Sequence, residues 1–357
     1  MTQTPRPTAD APRRCILVLT VPPDEREHEA DREDEMRSLC DTAGLVVAAV
    51  ARQHLNTPAS ASYIGKGKVA EVAELAQQHE ADEVVLDAQL SPRQERNLEE
   101  ALDRLVVDYP ALILHIFARG ARSHQAQLAV ELAQLEHLRS RLKRRWSHLD
   151  RIKGGTNMRG PGEKQLEVDK RLVRDRILDL RARLDEIEAR KDRAIGARGD
   201  CFKVCLVGYT NAGKSSLMNA LTHAGVYVED RLFATLDTRT SRLHLGSARP
   251  VVISDTVGFI RDLPPQLIAS FHATLAEAIE ADLLLHVVDA AQPAMEEQIA
   301  VVEEVLDQIG AGTVPALMVF NKIDKPHSRT VLLAFKRRYK GSVMASAKTG
   351  EGLDRKS

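Results

Sequence analysis

The amino-acid sequence predicts an α/β protein in which a small α/β domain and a long helical hairpin precede a second α/β domain with a doubly wound, mainly parallel sheet. Three observations predict it. Short β-branched and apolar runs alternate with helix-period segments both before Gly120 and after Cys201. Between them, large apolar residues recur three or four positions apart over two long stretches. A glycine-bearing turn, GYTNAGKS, directly follows the run VCLV and leads into a helical pattern.

Residues 1–13 are rich in Pro and Thr and are expected to form a disordered tail. Residues 14–122 hold strand-like CILVLTV, GLVVAAV and EVVLDAQ, alternating with helix-like GKVAEVAELAQQ and SPRQERNLEEAL. That alternation implies a parallel sheet. Within this domain, GKG at Gly65–Gly67 lacks a preceding strand and a third glycine, so it reads as a turn or helix start, not a phosphate loop.

Residues 123–198 carry two apolar stripes. One comprises Leu128, Leu132, Leu135, Leu138, Leu142, Trp146 and Leu149; the other Leu166, Val173, Ile177, Leu180, Leu184 and Ile187. Such stripes bury best against each other, which predicts an antiparallel hairpin. Its tip, IKGGTNMRGPGEKQ, is stopped by glycines and Pro161. Basic residues surround this tip: Arg139, Arg141, Lys143, Arg144, Arg145, Arg151, Lys153, Arg159 and Lys164, opposed by Asp150 and Glu163. A charge run is usually a solvated helix face. Here one sign persists through a tip that cannot form a core, so Arg144, Arg145, Arg151, Lys153, Arg159 and Lys164 are candidates for contact with an RNA phosphate backbone.

Residues 199–357 place strands at CFKVCLVG, RPVVISDTVG, DLLLHVVDA, PALMVFNKID and GSVMASA. In a doubly wound sheet, ligand loops lie at the carboxyl ends of such strands.

Bulk composition excludes little. With 50 basic and 51 acidic residues the net charge is −1, so only the distribution of charge can argue for nucleic acid. Cys15, Cys40, Cys201 and Cys205 lack metal-ligand spacing and read as reduced core cysteines. The N-terminus has no basic-then-apolar leader and no apolar run approaches a membrane span, so a soluble, cytoplasmic protein is expected.

The chemistry sits at the strand ends. In G-x-x-x-x-G-K-S, formed by Gly208, Gly213, Lys214 and Ser215, backbone N–H groups surround phosphates, Lys214 reaches the terminal ones, and Ser215 offers its hydroxyl to Mg²⁺. Tyr209, Thr210, Asn211, Ala212 and Ser216 complete the loop. In DTVG, Asp255 can hold the Mg²⁺ through a water while the Gly258 N–H bonds a γ-phosphate. In NKID, Asp324 can accept from both N1–H and N2–H of guanine, Lys322 can lie along the ring, and Asn321 completes the loop. Ser346, Ala347 and Lys348 then offer backbone N–H groups to the guanine O6. Four motifs in this order, each at a predicted strand end, point to GTP and GDP rather than adenine nucleotides.

Between the phosphate loop and DTVG, Thr235 is the candidate that closes over Mg²⁺ and the γ-phosphate; the bland reading is an ordinary loop threonine. Lys214, Thr235 and Gly258 form the predicted catalytic set, with Ser215, Thr235 and Asp255 as the metal set. Phe259 follows Gly258, and a phenyl ring cannot orient water by hydrogen bonding, so intrinsic hydrolysis is expected to be slow. Asn211 has two readings: its side-chain oxygen can help bind K⁺ beside the phosphates, or it can simply stabilise a tight turn.

The chain resembles the HflX family of ribosome-associated GTPases across nearly its whole length. The resemblance rests on VGYTNAGKSSLMNAL, VYVEDRLFATLDT, SDTVGFIRDLP, DLLLHVVDA and VFNKID, and more discriminatingly on YIGKGKVAEV, LSPRQERNLEEAL, HIFARGARSHQAQLAVELAQLEHLRSRL and RGPGEKQLEVDKR upstream. It implies GTP hydrolysis, association as a monomer with the large (50S) ribosomal subunit and its RNA, and the splitting of stalled or idle ribosomes, with the hairpin tip approaching ribosomal RNA. It also implies weak ATP hydrolysis through the N-terminal domain, for which no residues are assigned.

Two positions depart from the family pattern. Ser216 stands where Thr is usual, and after SAKTGEGLD only Arg355, Lys356 and Ser357 remain, where a closing helix is expected. Loss of that helix's buried face is therefore expected to loosen the guanine pocket or unfold the domain. A second class of function stays open at this point: an RNA-binding assembly module in which nucleotide is structural and barely turned over.

Overall fold

The computed structural model describes residues 12–152, 161–196, 201–222, 232–233, 239–243, 250–264, 267, 272–325 and 335–353. Thr235, Lys153 and Arg159, nearly all of the predicted tail and the last four residues lie outside the described residues; Arg144, Arg145, Arg151 and Lys164 are described only as helix backbone. The chain divides into two compact units, residues 1–116 with 140–158 and residues 117–139 with 159–357.

The first unit is built on a parallel sheet of β1 (Arg13–Val21), β2 (Leu45–His54), β3 (Glu83–Leu86) and β4 (Leu105–Val107), in the order β2-β1-β3-β4. β1 is buried continuously from Cys15 to Val21, as its unbroken apolar run requires of a strand covered on both faces. Helices α1 (Glu29–Ala43), α2 (Lys66–Gln78) and α3 (Pro92–Leu102) connect the strands. The core joins Ile16, Val18, Val84 and Leu86 of the sheet to Val72 of α2 and Leu98 of α3. Gly65 is the N-cap of α2, so GKG is a helix start, as its sequence context indicates. α3 begins with a capping box between Ser91 and Gln94, with Pro92 in the first turn.

α1 and β4 were not legible in the sequence. α1 buries only Met36, Leu39, Cys40 and Ala43 on an otherwise charged helix, too thin a stripe to stand out. Contact with the Cys15 thiol, followed by burial, pushes the Cys40 thiol up, and both cysteines are buried in the core.

Arg141, counted among the basic residues around the hairpin tip, is ion-paired with Glu95 and sits 2.7 Å from Asp108 Oδ2. Asp108 is 1% exposed and also accepts from the N–H groups of Leu90 and Ala111. A carboxylate this buried needs a counter-charge, and Arg141 supplies it internally.

α4 (Tyr109–Gly120) and the long helix α5 (His124–Ile152) each have residues in both units, whereas α6 (Pro161–Gly196) belongs to the second. Leu128 and Leu132 of α5 and Ile177, Leu180 and Leu184 of α6 are buried, as the stripes predict. Leu138 departs from its stripe and is exposed. Two ion pairs tie the helices together: Arg176 to Glu131 at 2.8 Å and Arg181 to Glu136 at 2.5 Å. Phe117 of α4 meets Phe233 edge-on, with ring centroids 4.6 Å apart.

The second sheet contains β5 (Phe202–Val207), β6 (Arg239–Leu243), β7 (Val251–Asp255), β8 (Leu283–Asp289), β9 (Ala316–Asn321) and β10 (Val343–Met344), ordered β10-β9-β8-β5-β7-β6. All neighbours are parallel except β6, an antiparallel edge strand on β7. β6 was missed in the sequence because RTSRL is mostly polar, and its pairing with β7 is what makes it a strand. α7 (Lys214–Thr222), α8 (His272–Ile279) and α9 (Met295–Gln308) connect the strands. Leu206, Leu217, Met218, Ile253, Val287 and Val319 form the core around β5. The strand order reverses at β5, so its carboxyl end is the switch point where an open α/β sheet offers a crevice. Among the described residues, no helix is long and apolar enough to cross a membrane.

Candidate nucleotide site

The loop 208–213 lies at that switch point, between the end of β5 and the start of α7. Its glycines are dictated by close approach. A Cβ on Gly208 (φ +149°) would lie 2.2 Å from the Val287 carbonyl oxygen, and one on Gly213 (φ +91°) 2.3 Å from Asn321 Nδ2. Asn211, at φ +60°, takes a left-handed conformation that Asn tolerates better than most side chains.

Lys214 opens α7 with its ammonium buried, donating to the carbonyls of Gly208 at 3.0 Å and Tyr209 at 2.9 Å. Burial pulls its pKa down to about 8 against the opposing pull of Asp255. A desolvated cation at a helix N-terminus is a strong anion site. On β8, burial and then the Lys214 charge lower His286 to about 4, so this histidine is neutral beside the loop.

Ser215 donates its hydroxyl to Asp255 Oδ2 at 2.5 Å. This hydroxyl and carboxylate are hard oxygen donors at the mouth of the phosphate loop, a donor set that suits Mg²⁺, which is held by one or two carboxylates together with substrate phosphates. Thr235, the third predicted metal ligand, lies outside the described residues. Thr210 Oγ1 is buried with no hydrogen-bond partner among the described residues, a polar atom poised for a ligand in the loop. Gly258 is wedged against the loop: a Cβ there would be 2.8 Å from Thr210 Cα and 3.0 Å from Lys214 Nζ.

The base-directed residues are locked to the same loop. Asn321 donates from Nδ2 to the Ala212 carbonyl at 2.9 Å and accepts the Ala347 N–H at 3.0 Å, so one side chain joins the phosphate loop, NKID and SAK. Ser346 donates its hydroxyl to Asp324 Oδ1 at 2.6 Å, and this bond holds the Asp324 carboxyl below its ordinary range. Lys322 Nζ donates to the Asn211 carbonyl at 2.7 Å and pairs with Asp289 Oδ2 at 2.8 Å. Around them opens a cavity of about 780 Å³ lined by Gly213, Ser216, Asn321, Lys322, Asp324 and Lys348, within the size range of nucleotide and cofactor pockets.

The structure thus brings together residues from all four predicted motifs. Sequence reasoning passed over Asp289 and Asn219, which also belong to the site, Asn219 lining the cavity and Asp289 holding Lys322. Asp289 stands at the carboxyl end of β8, the position where this sheet type places ligand loops, and that was the available signal. Asn219 lies one turn into α7 and carried no signal.

Comparison with known proteins agrees with this geometry. The chain matches three family models: "GTP-binding GTPase N-terminal" over residues 30–118, "GTP-binding GTPase Middle Region" over 120–198, and "50S ribosome-binding GTPase" over 203–322. It is 45% identical to the GTPase HflX of Escherichia coli (strain K12), over 91% of this chain and 78% of that protein. It is likewise 45% identical to the GTPase HflX of Magnetococcus marinus, over 97% of this chain and 81% of that protein. Among solved structures, SsGBP in complex with GDP aligns with a TM-score of 0.53 at 26% identity, covering 96% of this chain and 95% of that one. Because the shared identity runs through the N-terminal and middle regions as well as the nucleotide motifs, the chain belongs to the HflX family of GTPases.

Proposed function

We propose that this protein is a GTP-hydrolysing switch that docks on the large ribosomal subunit in its GTP form and promotes the splitting or rescue of ribosomes. The observation that carries the reading is Asn321, whose amide bridges the phosphate loop to the base-binding loops, so that Gly213 of the phosphate loop and Asp324 line a single cavity. Asp324, kept ionised by Ser346, selects guanine by accepting from N1–H and N2–H, a donor pair that adenine lacks. Lys214 neutralises the terminal phosphates, and the Gly258 N–H faces the γ-phosphate. Ser215, Asp255 and Thr235 would hold Mg²⁺, which would supply charge neutralisation for the phosphates. Water attacks the γ-phosphorus, the bond to the β-bridging oxygen breaks, and GDP and phosphate leave.

Ordering of Thr235 and the Asp255–Phe259 segment by GTP favours the docking-competent form, and hydrolysis releases it. The basic hairpin tip, with Arg144, Arg145, Arg151, Lys153, Arg159 and Lys164, contacts ribosomal RNA. The protein acts as a monomer in the cytoplasm. K⁺ bound at the Asn211 side chain accelerates turnover, and equal rates in K⁺ and Na⁺ buffers would reject that part.

A specific observation supports a second reading, an RNA-binding module with little turnover. Phe259 is 1% exposed, so its ring neither reaches nor orients a water. Co-sedimentation with large ribosomal subunits separates the two. Pelleting with a non-hydrolysable GTP analogue but not with GDP, together with subunit-stimulated hydrolysis, supports the switch; equal pelleting in both states without hydrolysis supports the module. Neutralising Arg144, Arg145, Arg151 and Lys153 together weakens pelleting and flattens its salt dependence while GTP affinity stays unchanged.

A further inference from the structure

Phe259 takes the place where a water-orienting side chain would stand, yet its backbone is engaged. The Phe259 N–H donates to the Gly208 carbonyl at 3.1 Å, and the Thr210 N–H donates to the Phe259 carbonyl at 2.7 Å. These two bonds make a parallel bridge between Tyr209 and Phe259, outside either named strand. A third bond extends it: the Arg261 N–H donates to the Tyr209 hydroxyl oxygen at 3.1 Å. Tyr209 on the phosphate loop and Phe259 in the segment after Asp255 are both buried. The segment following Asp255 is therefore zipped to the phosphate loop by three backbone donors or acceptors, and one of the three partners is a side-chain hydroxyl.

The consequence falls on Gly258, the residue just before the bridge. Its α-carbon is pressed so close to the loop that a Cβ would collide with Thr210 and reach the Lys214 ammonium. The peptide that must respond to the γ-phosphate is thus held beside the cation that binds the terminal phosphates. A phenylalanine at position 209 would fill the same core space, so packing alone does not call for the hydroxyl; the bond to Arg261 does.

We propose that Tyr209 is a positioning residue for hydrolysis: through its hydroxyl and its bridge to Phe259 it holds the Gly258 peptide in register with Lys214, in place of the missing glutamine-type orientation. This rests on the reading of the site as a GTPase centre. Without the third bond the segment is held less firmly against the loop when GTP is bound, which lowers kcat and leaves ground-state binding of GTP, set by Lys214 and Asp324, nearly untouched.

The test is Tyr209→Phe in the full chain, assayed for ribosome-stimulated GTP hydrolysis and, in the GDP-bound protein, for hydrogen exchange of the Arg261 amide. Loss of one hydrogen bond to a backbone donor lowers kcat by about three- to tenfold with KM within about twofold, and speeds Arg261 exchange by a similar factor. Unchanged kcat in Y209F, a rise in kcat, a loss expressed wholly in KM, or unchanged Arg261 exchange would each overturn the proposal while leaving the GTPase reading intact. Wild-type protein that binds GTP but never hydrolyses it would overturn that reading as well.

Discussion

Asp289 and Asn321 end adjacent parallel strands in direct register, and this places the Asp289 carboxylate 2.8 Å from the ammonium of Lys322, the residue after Asn321. The same ammonium donates to the Asn211 carbonyl of the phosphate loop. Lys322 is consequently held at its tip by two acceptors while it lines the cavity.

Asp289→Asn keeps the shape and removes the charge. Nucleotide affinity is expected to fall about five- to fiftyfold, equally for GDP and GTP, because the pair sits on the base side and one partner of a buried ion pair is lost. Fluorescent-nucleotide titration checks this, and a double-mutant cycle with Lys322→Met shows coupling between the two positions. A change confined to GTP would point instead to the phosphate side.

Asp324→Asn exchanges an acceptor for a donor where the base presents N1–H and N2–H. Preference is expected to move from guanine toward xanthine nucleotides by at least about tenfold, since an unpaired buried donor pair costs more than a simple lost contact. Competition between GDP and XDP measures it; retained guanine selectivity would refute the base assignment.

Lys214 has a pKa lowered to about 8 by burial. Bound phosphates raise it again, so nucleotide binding takes up a proton between the two values. Affinity is expected to be flat below about pH 8 and to weaken above it, by up to tenfold per pH unit. Dissociation constants for GDP at pH 7, 8 and 9 test the slope. For the protein without nucleotide the sign is opposite: above pH 8 the unfolded chain holds more protons on this lysine, so its contribution to stability rises with pH up to about 10.5.

Arg141→Met removes the counter-charge of the buried Asp108 while keeping most of the side-chain volume. A loss of about 3–5 kcal/mol is expected for the N-terminal unit, the usual cost of stranding a buried charge. Arg141→Met with Asp108→Asn should recover part of it, and denaturant unfolding of both variants is the measurement.

The nucleotide chemistry was legible in the sequence because each motif answers a local demand. Gly208 and Gly213 stand where backbone and side chains leave no room for a Cβ, while Lys214 opens the helix after one strand-like run, Asp255 ends a second and Asp324 lies three residues past a third, so residue type and spacing located them. The burial of β1 and the stripes of α5 and α6 were legible for a similar reason, since periodicity records which face a segment hides. Residues whose roles depend on distant partners were decided only by the tertiary structure. Arg141 reads as one more cation in a basic run until Asp108, far from it in sequence, claims it. β6 is a strand only because β7 lies beside it. Tyr209 and Asp289 acquire their positions from Arg261 and Lys322, contacts that exist only once the sheet has brought its strand ends together, because a hydrogen bond or ion pair depends on distance in space and sequence spacing does not report it.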